Sequence, residues 1–204
     1  MTMHAVVVRQ PWASLIAHGI KTIETRGFAP KSTVRRGDRL AIVAGKTKVG
    51  LFDSPAATDG WRPLMDGIGS VDARYAPLPL GVVVAVVTYD EALLILGGVP
   101  EPGEAERPFI VHDTRFGAGK DAFLSAWPES GREEAPWYWV QDQLPLGDFT
   151  PGRYGWMLSN PQRLPIPVRC RAVGPDGTRT HMQGVFRLPA AVEAAVVAQI
   201  GGES

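Results

Sequence analysis

RQPWASLIAHGIKTIETR, residues 9–26, decides the fold, because a short helix signal runs straight into a strand that carries charge. Pro11 suits the first helical position, since its fixed φ is already helical and its missing N–H would have had no partner there. Trp12, Leu15 and Ile16 recur at i, i+3 and i+4 and form one apolar stripe. Gly19 stands where a helix closes on a left-handed residue, so the helix is expected to stop at His18. The KTIETR segment that follows, 21–26, is β-branched at alternate places and reads as a strand leaving the turn. With a side-chain period of two, Ile23 faces one way and Thr22, Glu24 and Arg26 the other. Lys21 lies in the turn itself, from which its stem can swing toward that polar face. A carboxylate and two cations are thereby expected on one small surface beside Trp12.

The rest of the chain supplies strands around this stretch. Residues 4–9 are an apolar run of strand length, and 39–44 form a second after a basic loop and a Gly37-Asp38 turn. Residues 80–89 are apolar on both faces and therefore read as a central strand. Asp90 is placed to cap a short helix that ends at Gly97-Gly98. Residues 137–140 and 154–158 read as aromatic strands, and 165–173 as an extended run whose Pro165 and Pro167 suit a sheet edge. Val192, Val196 and Ile200 recur four apart, which predicts a C-terminal helix packed on the core. Two stretches near 52–79 and 99–136 are rich in Gly, Pro and charge without a sustained period and read as insertions. The expected architecture is α+β but mainly β: a single domain over 1–204, a β-barrel with a few short helices packed outside and two long loop insertions.

Bulk properties narrow the function classes. The 204 residues carry 21 Lys+Arg against 21 Asp+Glu, which does not recommend a nonspecific nucleic-acid binder working by broad phosphate neutralisation. A local basic site remains open. The single Cys170 excludes an intramolecular disulfide, and with four scattered histidines there is no zinc-ligand spacing, so no metal and no cofactor is expected. No apolar run approaches bilayer length, and no N-terminal segment joins a basic region to a long apolar one; a cytoplasmic location without a membrane partner is expected. Gly45-Lys46-Thr47 echoes the end of a phosphate loop, but position 40, where that motif needs glycine, is Leu40.

GIKTIETR, 19–26, fits the G-x-K-x-x-E-x-R signature of the ASCH domain, and its lead-in QPWASLI, 10–16, also resembles that family. RGDRLAI, 36–42, and GVVVAV, 81–86, look like the family's following strands, while 154–158 and 183–189 resemble long bacterial and bacteriophage members. The resemblance implies a PUA-like β-barrel whose signature residues line a cleft, in a family of proposed RNA-binding modules, coactivator components and small hydrolases. One hydrolase group cleaves N4-acetylcytidine with a Lys, a Thr and a Glu. Its Lys corresponds to Lys21, but its Thr position is Glu24 here, which removes the hydroxyl nucleophile. Ribonuclease activity is linked to the family as well.

The expected ligand-binding set is Trp12, Lys21, Glu24, Arg26, Lys46 and Trp156, with RNA, a nucleotide or a modified nucleobase as ligand. Arg26 or Lys21 can hold a phosphate or a base carbonyl, and Glu24 can accept from the exocyclic amine of cytosine or adenine. As a bare ion-pair network the three charges would contribute only ~0–1 kcal/mol. Trp12 reads either as a stacking platform or as a core residue, and at least one of Trp137/Trp139 and Trp156 should be core. Lys31, Arg35, Arg36, Lys46 and Lys48 flank the signature as a basic rim or a solvated face. If the protein is an enzyme, an amidohydrolase or ribonuclease, Lys21 and Glu24 are the catalytic candidates, with Asp90 and Glu91 next for inspection. His112 and His181 have no nucleophile arranged for a triad. A protein-interaction module, in which the insertions bind a protein partner, is the third reading.

Overall fold

A computed structural model describes residues 2–30, 33–46, 78–97, 108–111, 137–139, 143, 146–170 and 184–201, the backbone alone at 96–97, 108–111 and 137–139. The expected insertions near 52–79 and 99–136 therefore lie mostly outside the described residues, as do Lys31, Lys48, His112 and His181. The elements in chain order are β1 (His4–Val8), α1 (Trp12–Ala17), β2 (Ile23–Arg26), β3 (Arg39–Ala44), β4 (Val82–Gly97), β5 (Pro108–Val111), β6 (Trp137–Trp139), β7 (Tyr154–Arg169), β8 (Val185–Arg187) and α2 (Ala190–Ile200). The fold is mainly β.

The chain divides into two compact units, one of residues 1–22, 30–90 and 158–204, the other of 23–29 and 91–157. In the first unit β1 pairs parallel with β3 and antiparallel with β8, and β3 pairs antiparallel with the first part of β4. Ala41, Val43, Val83 and Val86 form its core with Leu164, Cys170 and Leu188, and α2 closes it with Val196 and Ile200. The expected spacing of the C-terminal helix is thus realised: Val196 and Ile200 are buried and Val192 packs against them. In the second unit β2 pairs antiparallel with the start of β7, and the end of β4 pairs with β5, which pairs with β6. Ile23, Leu93, Ile95 and Phe149 form a separate core there.

Two expectations are corrected. Residues from Asp90 onward do not form a helix; they continue β4 to Gly97. Leu93 and Ile95 are buried while Leu94 between them is half-buried, the period of a strand, and a ladder to β5 supplies the hydrogen bonds a helix would have made internally. Asp90 accepts a hydrogen bond from the Ser159 hydroxyl at 3.0 Å and caps no helix. Residues 165–169 are not a separate strand either, because β7 runs unbroken to Arg169 through Asn160, whose φ of 47° lies in the left-handed region. Asparagine tolerates that conformation better than most residues, which lets the strand bend without ending.

The alternation in β4 gives a test. Leu93→Ala should destabilise the protein by ~2–5 kcal/mol and Leu94→Ala by clearly less, read by urea unfolding. Equal losses would contradict the strand register.

Candidate functional site

Gln10 organises the start of the signature region. It precedes α1 and is buried, its Oε1 accepting from the Ser14 backbone N–H at 3.1 Å and from the Ser14 hydroxyl at 3.0 Å. Its Nε2 donates to the Pro79 carbonyl at 3.0 Å. Pro11 sits at the N-cap, one place earlier than expected, and its side chain offers no capping group; Gln10 satisfies a first-turn N–H instead. At the other end Gly19 adopts φ +72°, and a Cβ there would lie 3.3 Å from Pro161. The Leu15 carbonyl then accepts from the N–H groups of both Ile20 and Lys21, at 3.0 and 3.2 Å, and fixes the turn. Lys21 emerges 2% exposed, while Thr22 is exposed. A buried ammonium needs compensating partners to stay charged, so this lysine belongs to the interior of its unit and not to a solvated turn.

The second half of the signature stands in the other unit. Glu24 lies directly across from Trp156 in the β2–β7 ladder, and Arg26 from Tyr154. Residues opposite and diagonal on one sheet face touch, so Glu24, Arg26 and Trp156 meet. The Arg26 Nε is 2.9 Å from Glu24 Oε1, and its guanidinium carbon is 5.9 Å from the Trp156 ring centroid, within cation–π range. Trp156 is fully buried and donates its indole N–H to the Phe28 carbonyl at 3.0 Å. The Phe28 ring stands edge-on to the indole, centroids 5.9 Å apart at 78°, and is 44% exposed. Sequence reasoning misses Phe28 although it continues the parity of Glu24 and Arg26; it follows a glycine beyond the strand, where periodicity carries no weight.

Thr25 occupies the opposite face of β2. Its hydroxyl oxygen accepts from the Asp148 backbone N–H at 3.0 Å, and a Cβ on Gly147 would come within 3.0–3.1 Å of it. The threonine beside Glu24 is thus used to anchor a turn. Within that turn Asp148 accepts from the Thr150 hydroxyl at 2.5 Å and from its N–H at 3.1 Å, with Arg153 at 3.3 Å. The Thr150 hydrogen bond, helped by Arg153, holds the Asp148 carboxyl below its usual range.

The structure brings Glu24, Arg26 and Trp156 together and adds Phe28. Trp12, half-buried on α1, and Lys21 belong to the other unit, as does Lys46, exposed after β3 with its stem over Gly81. The side chains of Trp137 and Trp139 lie outside the described residues. Among the described residues no group of three or more His, Cys, Asp or Glu is arranged to hold a metal, and no helix is long and apolar enough to cross a membrane. Burial, and secondarily Arg163, lowers the His18 pKa, while burial raises that of the Cys170 thiol.

The family model of the ASCH domain matches residues 6–92. The ASCH likeness covers the signature segment and the strands that follow it. The chain is also similar to a crystal structure of ASCH from Zymomonas mobilis, at 14% identity over 97% of this chain and 94% of that one, with a TM-score of 0.41. A mutant form of the ASCH protein from the same organism matches at 14% identity over 97% of this chain and 98% of that one, TM-score 0.41. No curated protein matches the chain.

His18 supplies a pH test of the ASCH-like segment. Its folded pKa lies below the ordinary 6.5, so in the window just under that value the unfolded chain binds more protons and acid erodes stability. Thermal melts from about pH 7.5 to about 5.5 should fall, and His18→Asn should flatten that fall. In the second unit, Gly147→Ala should lower the melting temperature by several degrees, since Thr25 and Phe149 leave no room for the methyl.

Proposed function

We propose that the protein binds RNA or an RNA nucleoside, with Glu24, Arg26 and Phe28 contacting one base and its phosphate. The observation that carries this reading is the exposed Phe28 ring next to a guanidinium fixed between Glu24 and the buried Trp156. An exposed aromatic face accepts any base by stacking, worth ~1–3 kcal/mol. A guanidinium held by a carboxylate and an indole loses little freedom on binding, which lowers the entropic cost of orienting it on a base carbonyl or phosphate oxygen. The Glu24 carboxylate supplies an acceptor for the exocyclic amine of cytosine or adenine. Trp156, with no exposed surface, acts as the support for this group and not as its stacking face.

Burial of Lys21 favours a second reading, an enzyme acting on a modified nucleoside or on RNA, since buried ionisable groups concentrate at sites where chemistry uses them. In it Lys21 positions the attacking group. Thr25 does not restore the missing hydroxyl nucleophile, because its oxygen already serves Asp148. Turnover of acylated cytidines or short RNAs that disappears in Lys21→Met would establish this activity, and no turnover by the parent protein would remove it.

The binding reading is tested by fluorescence titration with cytidine, adenosine and a short single-stranded RNA. Phe28→Ala and Arg26→Ala should each weaken binding by roughly 5- to 100-fold while the thermal melts show a folded protein. Affinities equal to the parent's in both variants would overturn it.

A further inference from the structure

The turn from Gly147 to Arg153 joins two strands of its own unit that are not neighbours in the sheet, β2 and the second part of β4. At one end the Asp148 backbone N–H donates to the Thr25 hydroxyl oxygen of β2 at 3.0 Å. At the other end Gly152 donates its N–H to the Ile95 carbonyl of β4 at 2.9 Å, and the Arg153 carbonyl accepts the Ile95 N–H at 2.8 Å. Phe149, between those ends, is buried with Ile23, Leu93 and Ile95. Thr25 is 8% exposed, so its bond to the turn is made out of bulk water.

We propose that Thr25 is a positioning residue for the Glu24–Arg26 pair, and that the 147–153 turn is the brace it works against. The inference rests on the base-binding reading above and adds to it residues that touch no ligand. Glu24 and Arg26 flank Thr25 in a strand of four residues and point to the opposite face. A rotation of the backbone at Thr25 therefore turns both functional side chains at once. On their own face they are registered by the ladder to Trp156 and Tyr154, and on the reverse face the fixed point is Thr25. A Cβ on Gly147 would lie 3.0 Å from the Thr25 hydroxyl oxygen and 3.1 Å from its methyl carbon. Both branches of a side chain already stiff at χ1 thus meet the turn, and glycine is what permits the approach.

The turn is closed on itself in a way that core packing does not require. Asp148 and Thr150 are exposed, yet the Asp148 carboxylate accepts from the Thr150 hydroxyl at 2.5 Å and from its N–H at 3.1 Å. Arg153 adds its guanidinium to that carboxylate at 3.3 Å and donates its backbone N–H to the Thr150 carbonyl at 3.3 Å. What these contacts supply is a fixed direction for the Asp148 N–H that meets Thr25. For burial alone, valine would serve at position 25 as well as threonine, since it is equally branched and favours a strand. The hydroxyl adds a bond with one direction, the kind of support that holds a binding group in place.

The experiment titrates the full chain with cytidine and with adenosine at a temperature well below every variant's melt. Thr25→Val, which keeps the shape and removes the acceptor, is compared with Thr25→Ser, which keeps the acceptor, and each is also made together with Arg26→Ala. Thr25→Val should weaken nucleoside binding by roughly 3- to 10-fold in a protein that is fully folded, and Thr25→Ser should restore most of the loss. Because the brace acts through the flanking pair, the Thr25→Val effect should shrink below about twofold once Arg26 is alanine. A lowered melt with parental affinity would make Thr25 a structural anchor and overturn the proposal while leaving the base-binding reading intact. Fully additive losses in the double variant, or an equal loss in Thr25→Ser, would overturn it as well. A parent that binds neither nucleoside would remove the base-binding reading and the brace with it. Should Thr25→Val not fold, Thr150→Val loosens the same turn from its exposed side, and parental affinity there would overturn the brace.

Discussion

A buried indole must find an acceptor for its N–H, and the arrangement around Trp156 follows from that constraint. Its donor is satisfied by the Phe28 carbonyl, which ties the segment after β2 back onto β7. The same pairing sets the register that places Glu24 across from the ring and brings Arg26 over its face. The tie also holds the Phe28 ring edge-on to the indole, part of it in solvent. One hydrogen bond therefore settles the position of an aromatic, a cation and, through the ion pair, a carboxylate. In a water-exposed loop the same three side chains would be separate and mobile; around a buried ring they are preorganised.

The two faces of β2 divide the labour. Glu24 and Arg26 lie on the Trp156 side, while Thr25, on the reverse, accepts from the Asp148 N–H and faces a glycine that leaves no room for a side chain. The functional face is thus fixed from behind. The signature changes unit between Thr22 and Ile23, so its lysine and its Glu–Arg pair rest on different cores. Gln10 is the corresponding support on the lysine side, replacing the capping group that Pro11 does not supply. Binding by one face and anchoring by the other is what a strand's period of two makes available.

Much of the fold was legible because it depends on local physics. The α1–Gly19 turn needs a left-handed residue, β3 and the first part of β4 are largely apolar runs, and α2 repeats apolar residues every four. Each signal lies within a few residues. The helix expected from Asp90 failed for the complementary reason: ALLILG has no decisive local preference, and pairing with β5, the next strand of the chain, made it a strand. The continuity of β7 was equally hidden, since Asn160 and three prolines read locally as a break. The charge reading shows the same limit. Counting over the whole chain gives neutrality, but the electrostatic field depends on which charges fold together, and the units draw them from segments far apart in sequence.

By itself the sequence determined the ASCH signature, the short helix and turn that introduce it, the apolar strands and the C-terminal helix. These are set by side-chain period, backbone preference and residue identity, which act over a few positions. Only the tertiary structure decided that Lys21 is buried and that Trp156 is a support with Phe28 as the exposed ring. Burial and proximity of this kind arise from pairing between strands more than a hundred residues apart, and no short-range pattern encodes which strand will be the neighbour.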